Sequence, residues 1–273
     1  MEKLRRSERI IVMAKTLADQ PHTLFSLGFF ADLFQAAKST ISEDLGILRD
    51  IFRGFNYGQI ETFPGATGGV KYIPRLDQAY INQFLQDLCK KLATPDRVVP
   101  GGFIYMNDVI FDPAVVSRLG EIFATKFAEL RPDYIVTVET KGIPLALMTA
   151  KTFNVPLVII RDNSKVTEGS AVSINYVSGS TRRIHTMSLS RRALPEGANV
   201  LIIDDFMKAG GTARGMMDLM AEFQANVLGV GVLISTNEPR QKLVDDYVAL
   251  IDLQDINEST KEIHMRPGKG FRN

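Results

Sequence analysis

Residues 201–212 read Leu-Ile-Ile-Asp-Asp-Phe-Met-Lys-Ala-Gly-Gly-Thr: three apolar β-formers, two adjacent acids, and a short glycine turn. A run of this kind is how a strand buried on both faces ends. Gly210 and Gly211 let backbone amides approach an anion, and the helix expected from Thr212 adds the positive end of its dipole. Thr212 supplies a hydroxyl, and Phe206 and Met207 join the acids to the turn Lys208–Thr212. Two neighbouring carboxylates repel unless they face hydroxyls, a cation or a basic residue. A sugar phosphate satisfies both halves, its ring hydroxyls donating to Asp204 and Asp205 while its phosphate rests in the turn. A Walker-type loop does not fit, because no glycine stands four residues ahead of a Gly-Lys-Ser/Thr. The plainer alternative is a solvated Asp-Asp turn with glycine as punctuation, and the apolar strand and paired acids weigh against it.

Working outward, Glu139-Thr140-Lys141-Gly142 repeats the grammar, running from the apolar strand Tyr134–Val138 through glycine into a helix over Ile143–Phe153. Lys141 beside Gly142 makes a second anion site, so the ligand expected here carries phosphates at both ends. Further strands are expected at Leu157–Ile160, Val200–Ile203 and Val227–Ile234, with helices at Pro113–Leu130 and Thr212–Phe223. Strands alternating with helices imply an α/β domain with a mainly parallel sheet flanked by helices, and ligands bind beyond the carboxyl ends of such strands. Phe103 and Tyr105 lie on a strand or hairpin arm and could stack on a base or sugar; packing is the alternative. The segment Arg161–Arg192 carries Arg161, Lys165, Arg182, Arg183, Arg191 and Arg192 with few acids. It reads as a mobile loop, a basic surface or a solvated hairpin.

The first 75 or so residues have a different grammar. Ile10, Ala14 and Leu17 share a helical face that Gln20-Pro21 stops. Leu27–Phe34 is a short apolar helix offering Phe30, Leu33 and Phe34 for packing. Thr40 and Glu43 have capping-box spacing, and Ile41, Leu45, Leu48 and Phe52 line one face behind them. Strands Gln59–Phe63 and Val70–Ile73 follow, joined by a glycine-rich turn. Three helices and a hairpin make a winged helix-turn-helix over 1–74, with a small helical bundle as the alternative. A recognition helix reads bases and phosphates with its N-terminal residues; here these are Lys38, Ser39, Thr40 and Ser42. Arg5, Arg6 and Arg9, with Lys71 in the wing, are placed to clamp a phosphate backbone; a solvated helix face is the plainer role for each arginine. Glu43, Asp44 and Asp50 lower the local charge. A helix over Arg75–Lys91 opens the second domain, 75–273.

The whole chain of 273 residues carries a formal charge of +1, which excludes wholesale coating of nucleic acid. One cysteine, Cys89, excludes an internal disulfide and a cysteine-based zinc site, and His22, His185 and His264 show no ligand spacing. No metal site is expected from protein side chains alone. The absence of a long apolar run and of a signal-peptide core predicts a cytoplasmic protein without membrane contact.

The run of four apolar residues, two acids, a loop and Gly-Gly-Thr resembles the phosphoribosyl pyrophosphate (PRPP) signature of type I phosphoribosyltransferases, and Glu139–Gly142 resembles their pyrophosphate loop. Together with the winged helix, the chain resembles the purine operon repressors of Gram-positive bacteria, from Leu4–Arg9 through Ser39–Asp44 and Thr67–Gly69 to the PRPP motif. The resemblance implies a homodimeric, non-enzymatic regulator of purine genes that binds a DNA operator and takes PRPP as effector, with Mg²⁺ as a companion ion. It implies that Asp204 and Asp205 hold the ribose, Lys208–Thr212 the 5′-phosphate and Thr140–Gly142 the pyrophosphate. Other phosphate-rich purine nucleotides would compete. Ala209 departs from the family pattern, since many of its enzymes carry Thr or Ser there. Two alternatives stay open: an active purine phosphoribosyltransferase with a DNA-binding appendage, and a PRPP-responsive activator.

Overall fold

The computed structural model describes residues 4–65, 67–162, 169–177 and 184–271. It divides into a unit ending at Asp77 and a unit beginning at Gln78, with Thr152–Asn154 grouped with the first.

The first unit is built from α1 (Arg6–Asp19), α2 (Leu27–Phe34), α3 (Lys38–Gly54) and the hairpin β1 (Gln59–Phe63) and β2 (Gly69–Ile73). Its core joins Met13, Leu17, Phe30, Phe34, Ile41, Leu45 and Leu48 with Ile60 and Val70 of the hairpin. Ser26 caps α2 by accepting from the Phe29 amide. Phe25 and Val70 exchange backbone hydrogen bonds, which ties the wing to the helices. Three details depart from the sequence reading. The buried line of α1 is Arg9, Met13 and Leu17, with Ile10 and Ala14 on its flank. Leu33 faces solvent. The capping box at Thr40 and Glu43 does not form, because α3 starts three residues earlier, with Ala37 as a cap that offers no side-chain bond; Thr40 is therefore already inside the first turn.

The second unit comprises α4 (Gln78–Leu92), the small hairpin β3 (Val98–Val99) and β4 (Phe103–Ile104), α5 (Asn107–Ile110), α6 (Pro113–Lys126), β5 (Tyr134–Val138), α7 (Ile143–Phe153), β6 (Leu157–Ile160), the hairpin β7 (Ala171–Val177) and β8 (Ile184–Ser190), β9 (Asn199–Met207), α8 (Gly211–Glu222), β10 (Asn226–Thr236), β11 (Val248–Asn257) and β12 (Glu262–Pro267). Six strands form one sheet in the order β12-β11-β10-β9-β5-β6. Every pairing is parallel except β11 with β12. One face of the sheet buries Val136, Val200, Ile202 and Val232 beneath Met216, Leu219 and Met220 of α8. On the other side Gly231 lets α6 come close, since a Cβ there would stand 2.7 Å from the Phe123 ring.

Three strands exceed the sequence reading. β9 does not stop at Ile203 but continues through both acids to Met207, held by the β10 register Val232↔Asp204, Ile234↔Phe206 and Ser235↔Met207. β11 and β12 extend the sheet where no strand was expected, and α4 packs against β12. The contested segment 161–192 contains the β7–β8 hairpin, whose β7 lies against α8; Lys165, Arg182 and Arg183 fall outside the described residues.

Candidate functional site

β5 and β9 are neighbours, with Tyr134, Ile135 and Val136 level with Val200, Leu201 and Ile202. Their following turns, Glu139–Gly142 and Lys208–Gly211, therefore open at the same end of the sheet. Asp204 is almost fully buried (5% exposed), and its Oδ1 accepts the Asp205 amide at 2.9 Å. Gly142 lies directly over it: a Cβ at this glycine would stand 2.8 Å from Asp204 Oδ1 and 2.5 Å from Thr137 Oγ1. The Thr137 hydroxyl is buried with no hydrogen-bond partner among the described residues. Burial, and then the charge of Asp205, pushes the Asp204 carboxyl well above the usual carboxylate range. Burial raises Asp205 as well, opposed by its bond to Asp204 and by the Lys141 ammonium. The pair is thus short of positive charge and of donors, the condition in which ligand hydroxyls or a cation bind.

The glycine turn is held from outside. Gly210 adopts φ 84°, a conformation that costs any side chain-bearing residue energy. The Leu243 amide donates to Ala209 O at 2.9 Å, Thr236 Oγ1 donates to Lys208 O at 3.2 Å, and Lys242 Nζ donates to the same carbonyl. The first-turn amides of α8 have no carbonyl within their own helix to meet, so they are available to an anion. Beside them Tyr176, delivered by β7, lies against α8, its ring 2.9 Å from where a Cβ at Gly215 would stand. Sequence reading missed Tyr176; the alternation of Ala171–Val177 was the available signal, obscured by the basic residues around it.

Lys141, Asp204, Asp205 and the turn Phe206–Thr212 line one cleft of about 230 Å³, whose opposite wall is Phe103, Ile104, Met106, Leu253 and Ile256. Tyr105 does not line it. That expectation is corrected in favour of Phe103, because the residue is tied by its backbone to Arg97 on the far arm of the small hairpin. Thr140 is exposed in the first turn, where the Glu139–Thr140 peptide is cis. Glu139 is anchored by Arg161 Nη1 at 2.9 Å and by the Asp162 amide at 2.8 Å. Among the described residues no three His, Cys, Asp or Glu side chains gather as a metal site. Burial and the charge of Asp252 push the Cys89 thiol up to about 12, so it is no nucleophile.

In the first unit Lys38, Ser39 and Ser42 are exposed at the start of α3 and Thr40 is half-buried. Lys71 sits over the Phe63 ring, 4.9 Å from its centroid. Arg5 is exposed, its amide bound to Glu8. Arg6 is half-exposed and donates to Asp44 Oδ1 at 3.0 Å. Arg9 overturns the expectation of a DNA clamp. It is buried, with Nε donating to Asp44 Oδ2 at 2.8 Å and Nη1 to Leu4 O at 3.0 Å, so its charge is spent inside the unit. Asp44 in turn is fully buried and adds no surface charge.

No helix among the described residues is long and apolar enough to cross a membrane. Residues 5–74 match the family described as bacterial purine repressor, N-terminal, and residues 107–267 match the phosphoribosyl transferase domain. The chain is 50% identical over 270 residues to the purine biosynthesis transcriptional repressor PurR of Bacillus subtilis, covering 99% of this chain and 95% of that protein. It is 36% identical over 268 residues to the purine biosynthesis transcriptional activator PurR of Lactococcus lactis, covering 98% and 99%. Among solved structures, adenine phosphoribosyltransferase from Thermoanaerobacter pseudethanolicus superposes with a TM-score of 0.53 at 21% identity, over 61% of this chain and 98% of that one; this is a likeness of fold.

Proposed function

Because the chain belongs to the family of bacterial purine biosynthesis transcriptional regulators, with its DNA-binding N-terminal domain and a phosphoribosyltransferase domain, we propose that the second unit is a PRPP sensor and not an enzyme. We further propose that the protein represses purine biosynthesis genes, and that bound PRPP weakens its hold on the operator. The observation that carries the reading is the shared cleft. Asp204 and Asp205 stand at one end of a sheet between the α8 turn and Lys141. The acids accept ribose hydroxyls, the Lys208–Thr212 amides take the 5′-phosphate, and Thr140–Gly142 take the pyrophosphate. Phosphate-rich purine nucleotides share these contacts and compete. Mg²⁺ would fit as a companion of the ligand: Asp204 and Asp205 would offer it carboxyl oxygens, and it would offset the ligand's phosphate charge. Ala209 offers no hydroxyl to the phosphate, which favours holding PRPP over reacting it.

The repressor direction follows the 50% identical relative. The action takes place on DNA in the cytoplasm, with a homodimer as the form that reads a two-part operator. The test is operator binding by fluorescence anisotropy with PRPP and Mg²⁺ titrated in, beside an assay for pyrophosphate release with each purine base. The wild type should lose affinity as PRPP rises, Asp205→Ala should bind DNA as well without responding, and no pyrophosphate should appear. An Asp205→Ala variant that responds normally ends the sensor assignment, and catalytic turnover ends the claim that the unit is not an enzyme.

A further inference from the structure

Beyond the segment that braces the phosphate turn lies a second and larger cleft, about 860 Å³, wholly within the second unit. That volume lies within the usual range for small-molecule sites. Its wall carries Lys126, Arg240, Lys242, Arg266 and Lys269 against one acid, Asp252. In a chain whose formal charge is +1, five cations to one acid is a strong local excess. Arg240 is 88% exposed and only loosely paired with Glu238 at 3.5 Å. Arg266 and Lys269 are exposed as well. Lys126 is drawn over the Phe271 ring, 5.0 Å from its centroid. Among the described residues Lys242 donates to carbonyl and hydroxyl oxygens on Thr236 and Lys208, and burial lowers its titration against the opposing charge of Glu238. An anion in the cleft would relieve that loss of hydration.

We propose that this cleft is a second anion-binding site of the effector unit, for a compact molecule carrying several phosphates. Its occupancy would reach the phosphate turn through Thr236 and Lys242, which line the cleft and also bind Lys208 O. The site itself stands apart from the PRPP reading; only this coupling rests on it. The concave wall, with Tyr247 and Phe271 in it, suits a small ligand held from several sides better than the convex backbone of a duplex.

Inorganic tripolyphosphate is the probe, titrated calorimetrically into the full chain at low salt. Wild type should bind it, and Arg240→Ser/Arg266→Ser should bind about tenfold more weakly, two charge-assisted contacts being lost. Lys90→Ser/Lys91→Ser, which removes the same charge from α4, should bind like wild type. The affinity for PRPP, measured directly, should be unchanged by Arg240→Ser/Arg266→Ser, and tripolyphosphate should shift it more in wild type than in this variant, where only competition at the first cleft remains. Equal weakening in both double variants means that only net charge was read, and the proposal falls. It also falls if Arg240→Ser/Arg266→Ser leaves tripolyphosphate binding intact while weakening binding to a duplex of random sequence, because the surface then meets DNA. If PRPP binds nowhere, the sensor reading fails, while the tripolyphosphate comparison still decides the second site.

Discussion

At the scale of single residues, Asp204 shows how a candidate binding site spends stability. The folded protein keeps a proton on the Asp204–Asp205 pair at a pH where the unfolded chain has lost it, since free aspartates titrate near 3.9. Stability from this pair is therefore present at low pH and falls as pH rises from about 4 through the raised folded titration. Asp204→Asn removes that penalty and keeps an oxygen for the Asp205 amide. The variant should melt close to wild type near pH 4 and above it near pH 8, by about 1 kcal/mol, while losing at least about tenfold in PRPP affinity. Thermal melts across that pH range, without ligand, check it; parallel curves would show that the pair carries no such strain. Both acids, which line the first cleft, are legible as candidates because they adjoin each other and a glycine turn. Arg9 is not. Arg5, Arg6 and Arg9 look alike in a chain read locally, and only the fold brings Asp44, 35 residues away, against one of them.

At the scale of elements, the turn after β5 and the strand β9 form one device. Gly142 covers Asp204 so closely that a methyl group there would collide with Thr137 Oγ1 and Asp204 Oδ1. Neither atom lies at the end of a long flexible chain, so the turn or the strand must shift. Gly142→Ala should destabilise the chain by about 1–3 kcal/mol and abolish the PRPP response without altering operator affinity, as read by melting and by anisotropy. Full response in this variant would show that the turn and the carboxylate are not coupled. The sequence shows a glycine suited to an anion here, but not that the same glycine roofs the acid, which depends on the β5–β9 register. Most helices and buried parallel strands are legible because their apolar residues run unbroken or recur at helical spacing. β9 looks shorter than it is, since two acids read as a strand end, although the β10 register carries the ladder past them. β11 and β12 escape notice for a related reason. They lie toward one edge of the sheet, and β12 buries few of its residues, so polar positions interrupt the pattern.

At the scale of the molecule, a DNA-binding domain and a phosphoribosyltransferase domain share one chain, and the proposed regulation needs a coupling free energy between them. Among the described residues of the first unit Arg9 is spent on Asp44 and Arg6 is half-engaged, so phosphate contacts fall to a short set, Arg5, Lys38 and Lys71 with Arg49 and Arg53 on α3. Few phosphate contacts mean modest affinity and a shallow dependence on salt for each unit, because each neutralised phosphate contributes one released counterion. A modest affinity is one that an effector can switch: a coupling of about 1–3 kcal/mol changes affinity by about 5- to 150-fold. Linkage then fixes a quantity that no mechanism can evade. If saturating PRPP weakens operator binding by some factor, saturating operator must weaken PRPP binding by the same factor. Measuring one by anisotropy and the other by calorimetry, at a single salt concentration, should return equal ratios in wild type and ratios near unity in Asp205→Ala. A PRPP effect on DNA with no reciprocal effect of DNA on PRPP would mean that the two ligands do not act on one equilibrium, and that PRPP reaches the operator by some route other than this cleft.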